Sequence, residues 1–269
     1  MNHGRKERVI KIITPAEITK QQQSLVVKLA VQTGEIEQAM RLRYKVFVKE
    51  AENSHLYNES GIESDNFDEY CDHLIVKDLE CDEVVGTYRL LQGINAIRHK
   101  GFYSETEFDL TAFQEKKPYA LELGRSCIAP EYRDGKVILL LWEGIAKYIT
   151  EYNHKYMIGC VSLTLKSIKE INEIYSLLRM RRIINDSYGI HPLPTHRING
   201  LQMVEMQLND KEIFRKLPPL MRGYQWLGAD IGGEPACDII FNTTDFFIVL
   251  ETGCVAKRYQ RRFLNGNKN

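Results

Sequence analysis

Two opposite charges three residues apart, Glu122 and Arg125, stand in the run Tyr119-Ala-Leu-Glu-Leu-Gly-Arg-Ser-Cys-Ile-Ala-Pro130. The run is apolar enough to read as a buried strand, and a buried strand does not ordinarily carry a carboxylate and a guanidinium. Such a pair suits acid–base work on a bound substrate, with the carboxylate taking a proton and a fixed donor steadying charge that develops beside it. In a regular strand residues three apart point to opposite faces. Gly124, between them, is where a bulge would turn both toward one cleft and expose a backbone N–H there. The bland reading is a structural ion network.

The elements that must position the pair follow from the chain in order. Residues 1–23 form a polar extension, and residues 25–31 read as a first strand closed by Thr33-Gly34. Residues 35–50 carry a helical period through Ile36, Met40, Tyr44 and Phe47, with Thr33 as a possible cap. The acid-rich stretch 51–72 shows no period and reads as a long loop. Residues 73–77 and 84–91 read as an antiparallel hairpin, and 93–116 as an irregular aromatic stretch. After the strand at 119–130, residues 137–152 read as a helix, 156–163 as a buried strand and 166–184 as a second helix. A strand at 200–208, a short helix at 218–227, a strand at 246–251 and a basic tail over 256–269 complete the chain. The expectation is an α+β fold with a mixed sheet, in a single domain spanning 24–255.

Composition narrows the function. Among 269 residues, Lys+Arg and Asp+Glu are equal at 36 each, which gives no case for a nucleic-acid binder. Six widely spaced cysteines without a C-x-x-C pair read as reduced thiols of a cytoplasmic protein and show no metal-binding spacing. No apolar run is long enough to cross a bilayer. Transient contact with the inner face of a membrane, through the aromatic segment or the basic tail, is compatible with this sequence.

The strand and helix order is that of the N-acetyltransferase-like (GNAT-like) acyltransferases, and particular stretches resemble one family. Arg43-Tyr-Lys-Val-Phe47, Phe67-Asp-Glu-Tyr-Cys-Asp-His-Leu-Ile-Val76, Val85-Gly-Thr-Tyr-Arg-Leu-Leu91, Gly101-Phe-Tyr-Ser-Glu-Thr-Glu-Phe-Asp109 and Leu121-Glu-Leu-Gly-Arg-Ser-Cys127 are similar to the bacterial ornithine N-acyltransferases of aminolipid synthesis. Pro218-Pro-Leu-Met-Arg-Gly-Tyr224, Gly233-Glu-Pro-Ala236 and Asp245-Phe-Phe247 continue the likeness. A more distant likeness runs to the acyl-homoserine-lactone synthases, through Arg43 with Phe47, the Phe67 to Tyr70 segment, and Glu122 with Arg125. The resemblance implies transfer of a fatty, often 3-hydroxylated, acyl group from acyl carrier protein to an amino-acid amine, ornithine first among them. It implies no cofactor beyond the carrier's phosphopantetheine thioester, and no metal.

Residue roles are read beside that likeness. Glu122 is the candidate base for a protonated α-amine, with Arg125 as its catalytic partner. Arg43 can grip the acceptor carboxylate in bidentate fashion. Asp68 and Asp72 can hold its ammonium group, and His73 can serve as a second base. Cys127 reads as core. On the donor side, Gly124 and Ser126 adjoin the thioester, and Arg133-Asp-Gly-Lys136 leads into the helix. That loop lacks the small residues that cradle a diphosphate at a helix start, so it fits a carrier arm with one phosphodiester better than free coenzyme A. Arg179, Arg181 and Arg182, with Arg133 and Lys136, would suit an acidic carrier protein. The alternatives are a lactone-signal synthase and a non-catalytic acyl or carrier-binding module, and for each cation a solvated charged face.

Overall fold

The computed structural model describes residues 24–165, 167–205 and 210–253. The expected polar extension 1–23 and basic tail 256–269 lie outside the described residues. Seven strands follow one another across the main sheet. β1 (Leu25–Leu29) lies at one edge and is followed by β2 (Asp72–Asp78), β3 (Glu83–Gln92) and β5 (Ala120–Ile128). β6 (Tyr156–Leu163), β10 (Thr243–Glu251) and β8 (Asp230–Ile231) complete the order, and β9 (Ala236–Asp238) also pairs with β10. A two-stranded ladder of β4 (Phe108–Asp109) and β7 (His191–Pro192) stands apart.

All main-sheet pairings are antiparallel except β5 with β6, which are joined through α3 (Lys136–Tyr152). A parallel pair needs such a crossover, and the long apolar run at 137–149 supplies the helix. The remaining helices are α1 (Thr33–Tyr44), α2 (Gly93–Arg98), α4 (Ile168–Met180), α5 (Asp210–Lys216) and α6 (Pro219–Leu227).

Alternation along the strands sorts the core into two layers. Met157 and Val161 of β6, with Phe246, Ile248 and Leu250 of β10, join the larger cluster, which includes residues of α3, α4 and α6. Ile158 and Phe247, from the opposite parity, pack with Phe102, Phe108 and Phe113 of the irregular stretch. Burying each of these aromatic side chains contributes about 1.5–3 kcal/mol, which explains why a segment of little regular structure is firmly seated. Helix α3 rests close on the sheet because Gly144 has no side chain: a Cβ there would stand 2.8 Å from Val27 and 2.9 Å from Leu74.

Several sequence expectations shift. The first helix starts at Thr33, with Gln32 rather than Thr33 at its cap, and continues past Tyr44 as a π-helical turn over Lys45–Glu50. The second long helix ends at Met180, four residues before the expected 184. The strand expected over 200–208 is absent from its described part, 200–205, where the backbone is irregular and held by side chains, Gln202 N–H donating to Asn172 and Val204 N–H to Ser176. Branched and apolar residues suggested a ladder there, but tertiary contacts took the backbone groups instead.

Candidate active site

The site begins where two strands part. β5 and β6 are paired at Ala120, Leu121 and Glu122, opposite Tyr156, Met157 and Ile158, and no pair follows. Gly159 marks the fork: a Cβ on it would lie 2.3 Å from the carbonyl oxygen of Leu123, so only glycine lets the strands approach there. Beyond the fork a cavity of about 160 Å³ opens, lined by Glu122, Gly124, Arg125 and Ser126 of β5 together with Cys160, Asp245 and others.

A bulge brings Glu122 and Arg125 to that cavity. On β3, Thr87 pairs with Cys127 and Arg89 with Gly124, so Tyr88 alone stands opposite both Arg125 and Ser126. Arg125 carries the extra residue's geometry, with φ of 51°, a conformation that costs a non-glycine residue about 1–3 kcal/mol. The break therefore falls one position later than expected. Gly124 is itself paired with Arg89, and a Cβ there would meet only ordinary contacts at 3.8 Å or more.

Arg125 is held in that conformation by a closed ring of alternating charges. Its guanidinium donates to Glu63 at 3.1 Å and Asp65 at 2.7 Å; Asp65 accepts from Arg89 at 2.6 Å; Asp68 lies 3.4 Å from Arg89 and accepts from both terminal nitrogens of Arg43 at 2.7 and 3.0 Å. Arg43 closes the ring on Glu63 at 2.5 Å. Three cations and three acids balance, which is what makes their burial tolerable. The rings of Tyr103 and Phe241 flank Arg125 at 4.5 and 4.7 Å. Although burial opposes ionisation, Arg89 and Arg125 hold the Asp65 carboxyl below its ordinary range, and Arg43 holds Asp68 far below it.

Glu122 is buried, and its carboxylate accepts from the backbone N–H of Tyr103 at 2.8 Å, from Ser104 N–H at 2.8 Å and from Ser104 Oγ at 2.6 Å. Burial pushes its carboxyl up, and the Ser104 and Tyr103 bonds pull it back. One lone pair on Oε2 is not used by these bonds. Ser104 also touches Cys160 Sγ at 3.4 Å. Behind it stand Glu107, Cys160 and Asp245, whose ligand atoms lie within 4.8 Å of one another and are the described residues best placed to hold a cation.

The other candidates fall elsewhere. Arg43 has no exposed surface and is engaged by Asp68 and Glu63, so it is a ring member and has no face to offer an acceptor carboxylate. Asp68 is likewise given over to Arg43 and Arg89. Asp72 points to the α3 side of the sheet and accepts from Tyr148 at 2.5 Å, away from the cavity. His73 is buried beside the ring, 3.9 Å from Asp68, with neither ring nitrogen hydrogen-bonded; burial lowers its pKa and it does not line the cavity. Cys127 is buried in the core, as expected.

On the donor side, Arg133 pairs with Glu50 at 2.5 Å and borders a groove of about 550 Å³. That groove shares Phe47 and Phe241 with the cavity. Lys136 pairs with Asp134, whose carboxylate also accepts the Lys136 N–H at 3.0 Å at the start of α3. Arg179, Arg181 and Arg182 are not in one patch with these. They end α4, where Ile184 bridges to Ile231 of β8, beyond β6 and β10 from β5, and Arg179 is paired with Asp186.

Sequence reasoning missed Glu63, Asp65, Arg89, Tyr103, Ser104, Asp238 and Asp245. Arg89 and Asp245 carried a readable signal, a charge inside an apolar strand, which is the same signal that singled out Arg125. Tyr103 and Ser104, which act through backbone N–H groups as well as a ring and a hydroxyl, lie in an irregular stretch and carry none.

Taken together, a mixed sheet forked between two parallel strands, with a buried carboxylate and a guanidinium at the fork, defines an acyltransferase of GNAT type. Residues 42–143 match the acetyltransferase (GNAT) domain family. The L-ornithine N(alpha)-acyltransferases of Brucella abortus (strain 2308) and Rhizobium meliloti (strain 1021) are 35% and 36% identical over 247 residues, covering 88% of this chain and 87% and 83% of theirs. The protein belongs to this L-ornithine N(alpha)-acyltransferase family, as the sequence resemblance implied, and is an N-acyltransferase acting on an amino acid. In fold it is similar to FeeM, an N-acyl amino acid synthase from uncultured soil microbes, with a TM-score of 0.53 and 11% identity over 90% of this chain and 96% of that one. No helix among the described residues is long and apolar enough to cross a membrane.

Proposed function

We propose that this enzyme moves a 3-hydroxy fatty acyl group from acyl carrier protein to the α-amine of L-ornithine, giving a lyso-aminolipid. The observation that carries the reading is the shared cavity of Glu122 and Arg125 at the fork of β5 and β6. The acceptor's α-ammonium gives its proton to Glu122, directly or through a water. The free amine attacks the thioester carbonyl carbon, and backbone N–H groups of β5 beyond the fork are suited to the oxyanion. Collapse forms the amide, breaks the C–S bond and releases the carrier thiol with a proton. Nη1 of Arg125 takes no part in its bonds to Glu63 and Asp65, and it is the group that would meet the acceptor carboxylate.

Two features support the donor. Asp134 places a carboxylate at the start of α3, where a coenzyme A diphosphate would otherwise bind, and this favours a carrier arm with a single phosphodiester. Arg133, which borders the groove, and Lys136, at the start of α3, would meet an acidic carrier protein. The acyl chain would pass through the fork to the apolar side, where Leu123, Trp142, Ala146 and Tyr224 enclose about 40 Å³. That is well below the ~150 Å³ that holds a benzene ring, so Tyr224 and Trp142 must move aside for it. A greasy product suits cytoplasmic action with transient membrane contact.

The test is incubation with 3-hydroxyacyl carrier protein, or the matching acyl-CoA, and a panel of amino acids, following thiol release. Turnover with ornithine and carrier protein is expected to exceed every other combination. No turnover with any amine would remove the reading.

A further inference from the structure

The cavity's second wall has a chemistry that thioester aminolysis does not use. Glu107 is 2% exposed, and neither carboxylate oxygen makes a well-formed hydrogen bond, although the Tyr103 hydroxyl is close enough to favour its charge. It stands behind Cys160 and Asp245, both of which line the cavity. Asp245 is also 2% exposed and accepts from Ser162 Oγ at 3.0 Å and Thr243 Oγ1 at 2.7 Å. Asp238, 5% exposed and on the same wall, is occupied by the N–H groups of Ile240 and Phe241. The nearest cation, Arg125, is already matched by Glu63 and Asp65 within a neutral ring. The wall therefore holds unbalanced acid, and a Glu107 oxygen converges on it from behind, within 4.8 Å of the Cys160 and Asp245 ligand atoms and with acceptor capacity to spare. A buried acid left so is stable only as the neutral form or opposite a cation. Burial and the neighbouring Asp245 and Asp238 push the Glu107 carboxyl well up, so an arriving cation would displace a proton.

We propose that Glu107 and Asp245 form the pocket for the side-chain ammonium of a diamino-acid acceptor, so that this wall selects for a second positive charge on the substrate. The inference rests on the reading of the enzyme as an ornithine N-acyltransferase and supplies its specificity. A primary ammonium brings three N–H donors, and Glu107 with Asp245 offers acceptors the protein leaves in part unused. The place is right for the reaction: Ser104 Oγ bonds to Glu122 at 2.6 Å and touches Cys160 at 3.4 Å, so one hydroxyl separates the candidate base from the acid wall. An amino acid with its carboxylate at Arg125 and its α-amine at Glu122 would extend its side chain toward Glu107 and Asp245. A divalent metal is the competing occupant, but it would bring Cys160 in as a ligand, and burial beside Glu107 and Asp245 disfavours its thiolate.

The experiment compares kcat/KM for L-ornithine and for L-norvaline, the same acceptor without the ammonium, using one acyl donor. It is run on the wild type, Glu107→Gln and Asp245→Asn, with thermal melting to show that each variant is folded. The ornithine-to-norvaline ratio is expected to fall about 10- to 100-fold in each variant, the scale of a hydrogen bond to a charged group. L-ornithine is also expected to raise the wild-type melting temperature more than L-norvaline does, a comparison that needs no variant. An unchanged ratio in both folded variants overturns the inference, and so does a wild type that uses both acceptors equally or is protected equally by both. A stoichiometric metal whose chelation abolishes the ornithine preference overturns it in favour of a metal site. A wild type that acylates neither acceptor with any donor overturns the underlying reading, and the inference with it.

Discussion

Glu122 and Arg125 face one cavity because Tyr88, on the neighbouring strand, stands alone opposite Arg125 and Ser126. Without that extra residue the strand's alternation would send the two charges to opposite sides of the sheet. The strain is placed on Arg125 itself, whose positive φ is held by Glu63 and Asp65 and by the flanking rings of Tyr103 and Phe241. The shared cavity of Glu122 and Arg125 and the charge ring are therefore one construction.

Arg43 is the ring's most deeply buried member, and its removal leaves Glu63 to Arg125 alone and Asp68 to Arg89 alone, with one buried acid in excess. Arg43→Gln is expected to lower stability by about 3–5 kcal/mol, read as a drop in the urea midpoint. A stable variant with a raised KM for the amino acid would restore the role of Arg43 in binding the acceptor carboxylate.

Gly159 sets the fork. Gly159→Ala would put a methyl group 2.3 Å from the Leu123 carbonyl and must push β5 from β6. A loss of about 1–3 kcal/mol or more is expected, together with loss of turnover. Unchanged melting and activity would show that the strands are free to part at that point.

How much of this could be read from the sequence differs from residue to residue. Glu122 and Arg125 were visible because charge inside an apolar strand is rare, and Arg89 and Asp245 obeyed the same rule. The fold and family were legible because several motifs recur in one order. Ring membership was not legible: Arg43, Glu63 and Asp68 lie on a helix and an aperiodic loop whose meeting depends on tertiary packing. Nor could the bulge be placed, since glycine at 124 suggested the break while the ion pairs of Arg125 fixed it at the next residue. The strand expected at 200–208 shows the reverse error, in which residue type outweighed contacts that sequence does not display.

Glu107 gives a pH prediction of definite sign. Its carboxyl is raised in the folded protein, so between the unfolded value of about 4.3 and the raised one the folded state binds more protons, and stability falls as pH rises through that window. Asp65 and Asp68 are depressed and act oppositely: their contribution is present above about 3.9 and is lost as pH falls through their folded values. Glu107→Gln, measured without acceptor, is therefore expected to gain about 1–3 kcal/mol at pH 8 and clearly less at pH 5. Equal gains at both, followed by thermal melting, would contradict the burial of an ionisable Glu107.

Ala146 borders the apolar cavity behind Leu123. Ala146→Trp is expected to reduce kcat/KM for long-chain donors at least about tenfold relative to short-chain ones, since each methylene in an apolar pocket is worth about that much. An unchanged chain-length profile would place the acyl chain elsewhere.

The central claim is that Glu122 takes the acceptor's proton, and single-turnover aminolysis of the acyl donor by Glu122→Gln tests it most directly. Gln keeps the volume and an oxygen able to accept from Ser104. The account predicts a fall in the chemical step of about 10²- to 10⁴-fold in a variant that still folds, with a melting temperature lowered by the one bond lost where the Gln NH2 meets the Tyr103 N–H. A Glu122→Gln enzyme that transfers the acyl group at the wild-type rate would contradict it.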